Sequence, residues 1–212
     1  MKKTLCTLAV IASITAAPQA LAHKKGDFLV RAGIASVVPN ESSDDVLNLG
    51  EFKIDSNTQL GLTFGYMITD NISFEVLAAT PFKHKISLGS LGEIAEVEQL
   101  PPTFMLQYYF MDSGSKLRPY VGAGINYTTF FNEEFNTAGK DAGLSGLKLE
   151  DSWGLAANAG LDYMINDDWF VGASVWYADI STDVKFKAGA DDVTIKTDID
   201  PWVFMISGGY KF

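Results

Sequence analysis

The chain has 212 residues, of which 26 are acidic and 16 are basic, and its net charge is −10. This balance argues against a nucleic-acid partner, because binding to phosphates requires a basic patch. The single cysteine, Cys6, lies near the start of the chain, so a framework of disulfide bonds is excluded.

The N-terminal residues have the order of a secretory signal. Two lysines precede an apolar run over residues 5–17, and small residues follow up to Ala22. This order predicts a signal peptide of residues 1–22 with cleavage before His23. The mature chain, residues 23–212, is long enough for a single domain, and none of its apolar stretches has the length of a membrane helix.

The side chains of the mature chain alternate between two kinds with a period of two, which is the period of a β-strand. In the first such segment, Phe28 and Ile34 share one face, whereas Arg31 and Ala35 share the other. The last segment, PWVFMISGGYKF, ends the chain on an aromatic residue, and its edges must be paired with other strands. Eight segments follow the pattern, and in chain order they cover residues 28–38, 58–67, 72–82, 103–110, 118–131, 153–163, 169–177 and 201–212.

Long and short connections alternate between the eight predicted strands. We interpret the long ones as loops, and a short helix is predicted in the third, around residues 138–147. The alternation places all long loops at one end of the sheet, and all short turns and both termini at the other. The four long connections cover residues 39–57, 83–100, 132–150 and 182–198.

The two faces of the predicted strands differ in size and polarity. One face carries nearly all the large aromatic and aliphatic side chains, and these cannot fit inside eight strands, whose interior holds only side chains or one small ligand. That face must therefore contact lipid, with aromatic residues at the two membrane interfaces. The sequence thus predicts an all-β fold, an eight-stranded antiparallel transmembrane β-barrel with long extracellular loops, short periplasmic turns and periplasmic termini. Its surroundings would be the lipid and lipopolysaccharide of a Gram-negative outer membrane.

Five spaced segments of the mature chain carry a resemblance to a known family: residues 57–86, 100–110, 117–131, 151–180 and 200–212. Together, over essentially the whole mature chain, they resemble the OmpW family of outer-membrane proteins. The resemblance implies an eight-stranded barrel with a narrow, largely hydrophobic lumen that is associated with the passage of small hydrophobic molecules. It also implies that the terminal aromatic residue, Phe212, is read by the machinery that assembles such barrels.

The smaller face lines the lumen, and height along the strands divides it into two layers. Four apolar side chains point inward in mid-barrel and predict an apolar constriction: Leu77, Met105, Trp176 and Met205. Nearer the periplasmic end, four charged side chains predict a polar plug, which we expect to be paired because an unpaired buried charge is costly: Arg31, Glu75, Asp162 and Lys211.

Two interpretations of these layers stay open. Both layers can simply fill the barrel, since small barrels are packed. Alternatively, inward glycines leave volume for an apolar pocket above the polar plug. Nine glycines point inward by their position in the strands: Gly33, Gly61, Gly65, Gly122, Gly124, Gly154, Gly160, Gly172 and Gly209.

Three prolines lie near the top of the third and fourth predicted strands. Pro81 is expected to face Pro101 and Pro102 across the second long connection. Proline cannot donate a hydrogen bond to a strand ladder, so the three predict a lateral gap through which a solute could leave into lipid. The alternative is that these prolines only end their strands.

The resemblance and the apolar constriction together predict a channel for small hydrophobic molecules, and the three prolines add the option of lateral release into the membrane. The alternative is a surface barrel that transports nothing and acts as a scaffold or as a receptor for phages, bacteriocins or host molecules. An enzyme is not predicted, because the mature histidines are His23, at the cleaved terminus, and His84, in a loop, and neither has a nucleophile arranged beside it. No cofactor or metal site is predicted, since His and Cys residues are not clustered.

Overall fold

The computed structural model describes residues 22–212. The predicted signal peptide lies outside these residues except for Ala22, and its cleavage stays a prediction. Within the described residues, no helix is both long and apolar enough to cross a membrane. A helix, α1 (Thr137–Asp141), and a 3-10 turn (Gly89–Leu91) accompany the strands. In chain order the strands are β1 (Phe28–Val38), β2 (Ser42–Ser43), β3 (Phe52–Ile54), β4 (Asn57–Met67), β5 (Ile72–Ala79), β6 (Phe82–Leu88), β7 (Gly92–Leu100), β8 (Thr103–Tyr109), β9 (Leu117–Phe135), β10 (Leu144–Leu149), β11 (Ser152–Met164), β12 (Trp169–Ala178), β13 (Ser181–Ala188), β14 (Asp191–Asp198) and β15 (Trp202–Lys211).

Eight of these strands close into an antiparallel barrel, which confirms the predicted fold. Their order around the wall is β11, β12, β15, β1, β4, β5, β8 and β9, and β9 pairs back with β11. The C-terminal strand β15 pairs with β1 from Trp202 opposite Val38 to Lys211 opposite Leu29. The last strand is therefore the one that closes the barrel onto the first.

The outer surface of the barrel is apolar and is bordered by aromatic side chains at both ends. Ile206, in the middle of β15, is 75% exposed, which suits contact with hydrocarbon rather than water. At the short-turn end the rings of Trp169 and Tyr210 lie 4.9 Å apart, and at the long-loop end those of Tyr177 and Trp202 lie 5.3 Å apart. Trp169 and Tyr177 are separated by about 26 Å of strand, which after tilting spans most of a membrane's apolar band.

Beyond the long-loop end the chain forms a second layer, which we call the cap. It consists of β2, β3, β6, β7, β10, β13, β14, α1 and the end of β9. Residues 39–57 are mostly a loop, as predicted, with only the short strands β2 and β3. The interpretation as loops is wrong for most of the other three long connections: residues 83–100 lie almost entirely in the hairpin β6–β7, and residues 182–198 in the hairpin β13–β14. The predicted helix is shorter and ends at Asp141, and the third predicted strand ends at Ala79 rather than continuing to 82.

The polarity of the two faces inverts between the barrel and the cap, which explains these differences. In β6, Ile86 and Leu88 point into a buried apolar core, while Lys83 and Lys85 point outward. A cap in contact with water needs charge outside and apolar side chains inside, the reverse of a wall in contact with lipid. Strands such as β6 and β13 alternate between buried and exposed residues as the barrel strands do, but their charged face gives them the composition of a loop.

Candidate functional site: the barrel lumen

A buried network of charged side chains fills the short-turn end of the lumen. The guanidinium of Arg31 donates to the carboxylates of Glu75 and Asp162, with 2.6 Å between Nη2 and Asp162 Oδ2. These three side chains are at most 3% exposed. Arg31 Nη2 also donates to the hydroxyl of Tyr109 at 2.7 Å, and Gln107 Nε2 donates to Glu75 Oε1 at 2.6 Å. One buried cation thus serves two carboxylates, and such an arrangement is tolerable only when the hydrogen bonds are complete.

The fourth charged residue of the predicted plug, Lys211, lies nearer the rim. Its Nζ atom is 3.7 Å from Asp27 Oδ2 and donates to the backbone carbonyl of Ala22 at 3.4 Å. The structure therefore brings three of the four predicted residues into one network and places Lys211 beside the N-terminal segment.

That N-terminal segment, residues 22–27, enters the barrel and adds His23 to the network. His23 is fully buried, and its Nε2 lies 2.9 Å from Asp162 Oδ2. Its ring packs edge-on against Phe170, with 4.7 Å between centroids, and its backbone carbonyl accepts from Arg118 Nη1 at 2.9 Å. The sequence pattern misses this residue, because His23 precedes the first strand and belongs to no alternation.

Large side chains occupy the space beside the inward glycines in this layer. A Cβ atom at Gly160 would collide with the ring of Tyr120, and one at Gly209 would collide with the ring of Phe170. The missing side chains make room for rings from neighbouring strands. At these positions the glycines therefore allow close packing instead of leaving the volume that the pocket interpretation expects.

The four residues of the predicted constriction lie together in the next layer. Leu77, Met105, Trp176 and Met205 are all buried in one apolar cluster. The only polar atom among them, Trp176 Nε1, donates to Ser174 Oγ at 3.0 Å. Two of the four are methionines, whose flexible side chains adapt to irregular space. The constriction is therefore apolar, and half of its side chains are of an adaptable kind.

An apolar cavity of about 30 Å³, the lower cavity, lies on the cap side of this cluster. It has room for one or two water molecules, so the lumen is closed to larger solutes in this conformation. Leu77 and Trp176 form part of its floor, and Ala78 and Pro101 form part of its wall. Because Ala78 also belongs to the outer face of β5, the cavity reaches the barrel wall.

The barrel wall has an interrupted ladder at this height. Pairing between β5 and β8 ends at Leu77 opposite Thr103, and pairing between β6 and β7 begins only at Phe82 opposite Gln99. Residues 78–81 and 100–102 lie between these pairs, and we call this stretch the wall gap. All three predicted prolines fall within it: Pro81, Pro101 and Pro102. Carbonyl groups on one side of the gap bond to β9 instead, as in the 3.0 Å bond from Tyr127 N to Pro102 O.

The cap encloses a second apolar cavity, the upper cavity, of about 20 Å³. Gln99 borders both cavities, which are therefore neighbours. His84 also lines the upper cavity, and the interpretation of this residue as a solvated loop histidine is wrong, because it is only 2% exposed. Burial lowers the pKa of its imidazole, and this effect exceeds the opposing influence of its hydrogen bond to the backbone of Asp55.

A closed eight-stranded barrel with an apolar outer band, aromatic borders and an apolar lumen above a charged layer defines a small outer-membrane barrel protein. A sequence model of the OmpW family matches residues 24–212. The chain belongs to the OmpW family, as the resemblance of its segments predicts.

Individual relatives agree with this assignment. The chain is 66% identical to outer membrane protein W of Vibrio cholerae over 218 residues, which cover 100% of both chains. The crystal structure of the outer membrane protein OprG from Pseudomonas aeruginosa matches with a TM-score of 0.85 at 44% identity, over 91% of this chain and 98% of that one. A more distant relative, 24% identical over 220 residues and 100% of both chains, is named dibenzothiophene metabolism operon protein PahQ of Pseudomonas aeruginosa.

Proposed function

We propose that this barrel takes up small hydrophobic molecules at its cap and releases them sideways through the wall gap into the membrane. The observation that carries the proposal is the position of the lower cavity. It lies between a charged layer on one side and an interrupted stretch of wall on the other, and Ala78 and Pro101 of the gap form part of its lining. We also propose that the cap faces outward and that both termini face the periplasm.

The charged layer supports sideways release rather than passage along the barrel axis. An apolar solute that moved straight through would have to separate Arg31 from Glu75 and Asp162, and breaking a buried ion pair costs about 3–5 kcal/mol. It would also have to displace the N-terminal segment around His23. Leaving through the gap requires only the movement of apolar side chains and of a backbone stretch that lacks ladder bonds between its two sides.

The chemistry of the solute follows from the lining of the lumen. Both cavities are bordered almost entirely by aliphatic and aromatic side chains, so burying an apolar solute there is favourable. The distant relative PahQ is named for an operon of dibenzothiophene metabolism, and dibenzothiophene is an apolar aromatic compound. Its name supports a hydrophobic solute for this chain as well.

A vesicle assay tests the proposal. Purified barrel is placed in vesicles with an outer leaflet of lipopolysaccharide, and the rate at which an apolar dye such as N-phenyl-1-naphthylamine becomes fluorescent in the hydrocarbon is measured. We expect the barrel to raise this rate several-fold over empty vesicles. Trp176→Arg should abolish the increase, because it puts a charge beside the lower cavity, whereas Ile206→Val, on the lipid face, should leave it unchanged.

A variant with Pro81→Val, Pro101→Val and Pro102→Val tests the route. These changes supply the missing backbone donors, and we expect slower uptake. Unchanged uptake in this variant, together with loss in Trp176→Arg, would mean that the barrel transports solutes by a route other than the wall gap. Equal rates with and without the wild-type barrel would instead favour the alternative of a scaffold or receptor.

A further inference from the structure

We propose that the upper cavity selects neutral apolar molecules that carry one hydroxyl group, and that Gln99 and Thr197 bind this group. The inference rests on the proposed function and gives it a solute class. Two buried polar atoms carry it: among the described residues, Gln99 Oε1 and Thr197 Oγ1 have no hydrogen-bond partner. Both side chains are only 2% exposed, and both line the upper cavity.

The rest of the lining offers these two polar atoms few partners. Aliphatic and aromatic side chains from the cap form most of the wall, and no lysine or arginine contributes to it. A buried polar atom without a partner is costly, so a ligand that supplies the partner gains affinity. A carboxylate ligand would find no cation here, whereas a neutral group would bury no charge. The apolar part of the lining includes Phe52, Ile86, Val97, Phe130, Leu147 and Val184.

The neighbouring histidine fixes which end of the Gln99 amide is left without a partner. His84 Nδ1 lies 2.7 Å from the backbone oxygen of Asp55, which can only accept, so Nδ1 carries the proton. His84 Nε2 is then an acceptor, and Gln99 Nε2 donates to it at 3.0 Å. The amide nitrogen is thereby held at His84, and the amide oxygen remains as an acceptor.

A hydroxyl group matches the two unpartnered atoms better than other small groups. It can donate to the oxygen of Gln99 and accept from the hydroxyl of Thr197. An alkane can do neither, and an ether or ester can only accept. Because Gln99 also borders the lower cavity, an alcohol held there would rest its apolar part beside the route to the wall gap.

The cavity must expand to take such a molecule, since about 20 Å³ holds one water. A single buried water could satisfy the same two atoms, and the experiment must distinguish the two occupants. Thr182 supplies a matched control. It lines the same cavity, but its hydroxyl already donates to the carbonyl of Glu150 at 2.6 Å.

Benzyl alcohol and toluene differ by one hydroxyl group and provide the probe pair. The full mature chain is placed in lipid nanodiscs, and both ligands are titrated while the side-chain amide signal of Gln99 and the methyl signals of the cap are followed by NMR. After correction for partition into lipid, we expect the wild type to bind benzyl alcohol roughly thirtyfold more tightly than toluene, the size of two hydrogen bonds. Gln99→Met and Thr197→Val should each lower this ratio to roughly fivefold, the size of the one hydrogen bond that remains, and Thr182→Val should preserve the wild-type ratio.

Three results would overturn the inference. One is equal affinity of the wild type for the two ligands, and another is a preference that neither Gln99→Met nor Thr197→Val lowers. The third is a water signal at the Gln99 amide that neither ligand displaces, which would mean that the site holds a structural water only. In each case dye uptake by the wild-type barrel would leave the proposed function standing, and absence of both binding and uptake would reject the two together.

Discussion

The buried charge network predicts a large loss of stability when its cation is removed, and recovery of most of that stability when its carboxylates are neutralised as well. In Arg31→Met, the carboxylates of Glu75 and Asp162 lose their shared partner while staying almost completely buried. Breaking a buried ion pair by removing one partner costs about 3–5 kcal/mol. Protonation of one carboxylate limits the loss, and for that reason we expect the lower part of this range at neutral pH.

Neutralising the carboxylates as well should restore most of the stability. In the triple variant Arg31→Met, Glu75→Gln and Asp162→Asn, the amide at position 75 keeps Gln107 and Thr63 as partners, the amide at position 162 keeps His23, and no charge remains buried in the triad. The large cost of a broken buried ion pair comes from the uncompensated charge that is left behind, and the triple variant leaves none, so we expect a free energy of unfolding within about 2 kcal/mol of the wild type.

Unfolding by urea in lipid vesicles, followed by tryptophan fluorescence, measures both variants. Ile206→Val serves as the control, because this side chain faces lipid and is 75% exposed. A loss below about 1 kcal/mol in Arg31→Met, the range of exposed ion pairs, would refute the reasoning, since it would mean that water reaches the network. A triple variant as unstable as the single one would refute it too, because the cost would then come from packing and not from charge.

Two further predictions concern the packing of the barrel and the titration of the cap. Gly209→Val should destabilise the barrel by about 1–3 kcal/mol, because the added side chain overpacks against the ring of Phe170. Gly208→Val is the control and should not destabilise it, since a Cβ atom at Gly208 meets nothing within 4 Å. Urea unfolding in vesicles compares the two variants, and equal effects would contradict the packing argument. Burial lowers the pKa of His84 from its ordinary 6.5. The unfolded cap therefore binds the proton more readily than the folded cap does. For that reason the contribution of His84 to stability is complete above pH 6.5 and is lost as the pH falls from there towards the lowered pKa. Amide hydrogen exchange in β6 and β7, corrected for the intrinsic rate, should accelerate between pH 7.5 and pH 5.5 in the wild type and not in His84→Gln, and identical profiles would argue against this linkage.

The barrel could be predicted from the sequence because lipid imposes a simple rule on its wall. Alternate residues such as Phe74 and Val76 face hydrocarbon, and the residues between them face the lumen, so period and polarity agree along each strand. The charged residues of the lumen follow from the same parity, and Arg31, Glu75 and Asp162 do meet in one network. The alternation shows which face of the wall a residue occupies but not its position along the barrel axis. For that reason the sequence could not show that Lys211 lies nearer the rim than the network does.

Other parts of the site carry no such signal. His23 enters the lumen through the tertiary path of the N-terminal segment, and its contact with Asp162 spans 139 residues of sequence. The role of the inward glycines also depends on which ring crosses from the neighbouring strand, as Tyr120 does at Gly160. A glycine in the sequence indicates that side-chain volume is missing at that position, but only the register of the strands shows which neighbouring side chain fills it.

The inversion of polarity between barrel and cap has a consequence for the route of a solute. Even-numbered residues of β5, such as Phe74 and Val76, face lipid, whereas even-numbered residues of β6, such as Ile86 and Leu88, face the core of the cap. The alternation changes phase within residues 78–81 of the wall gap, where even-numbered residues switch from the lipid face to the core of the cap. This short segment therefore joins the apolar face of β6, which lines the interior of the cap, to the apolar face of β5, which lies on the exterior of the barrel. This continuity supports the proposed route, in which a hydrophobic molecule follows apolar surface from the cap and reaches lipid at the gap without meeting the charged layer below.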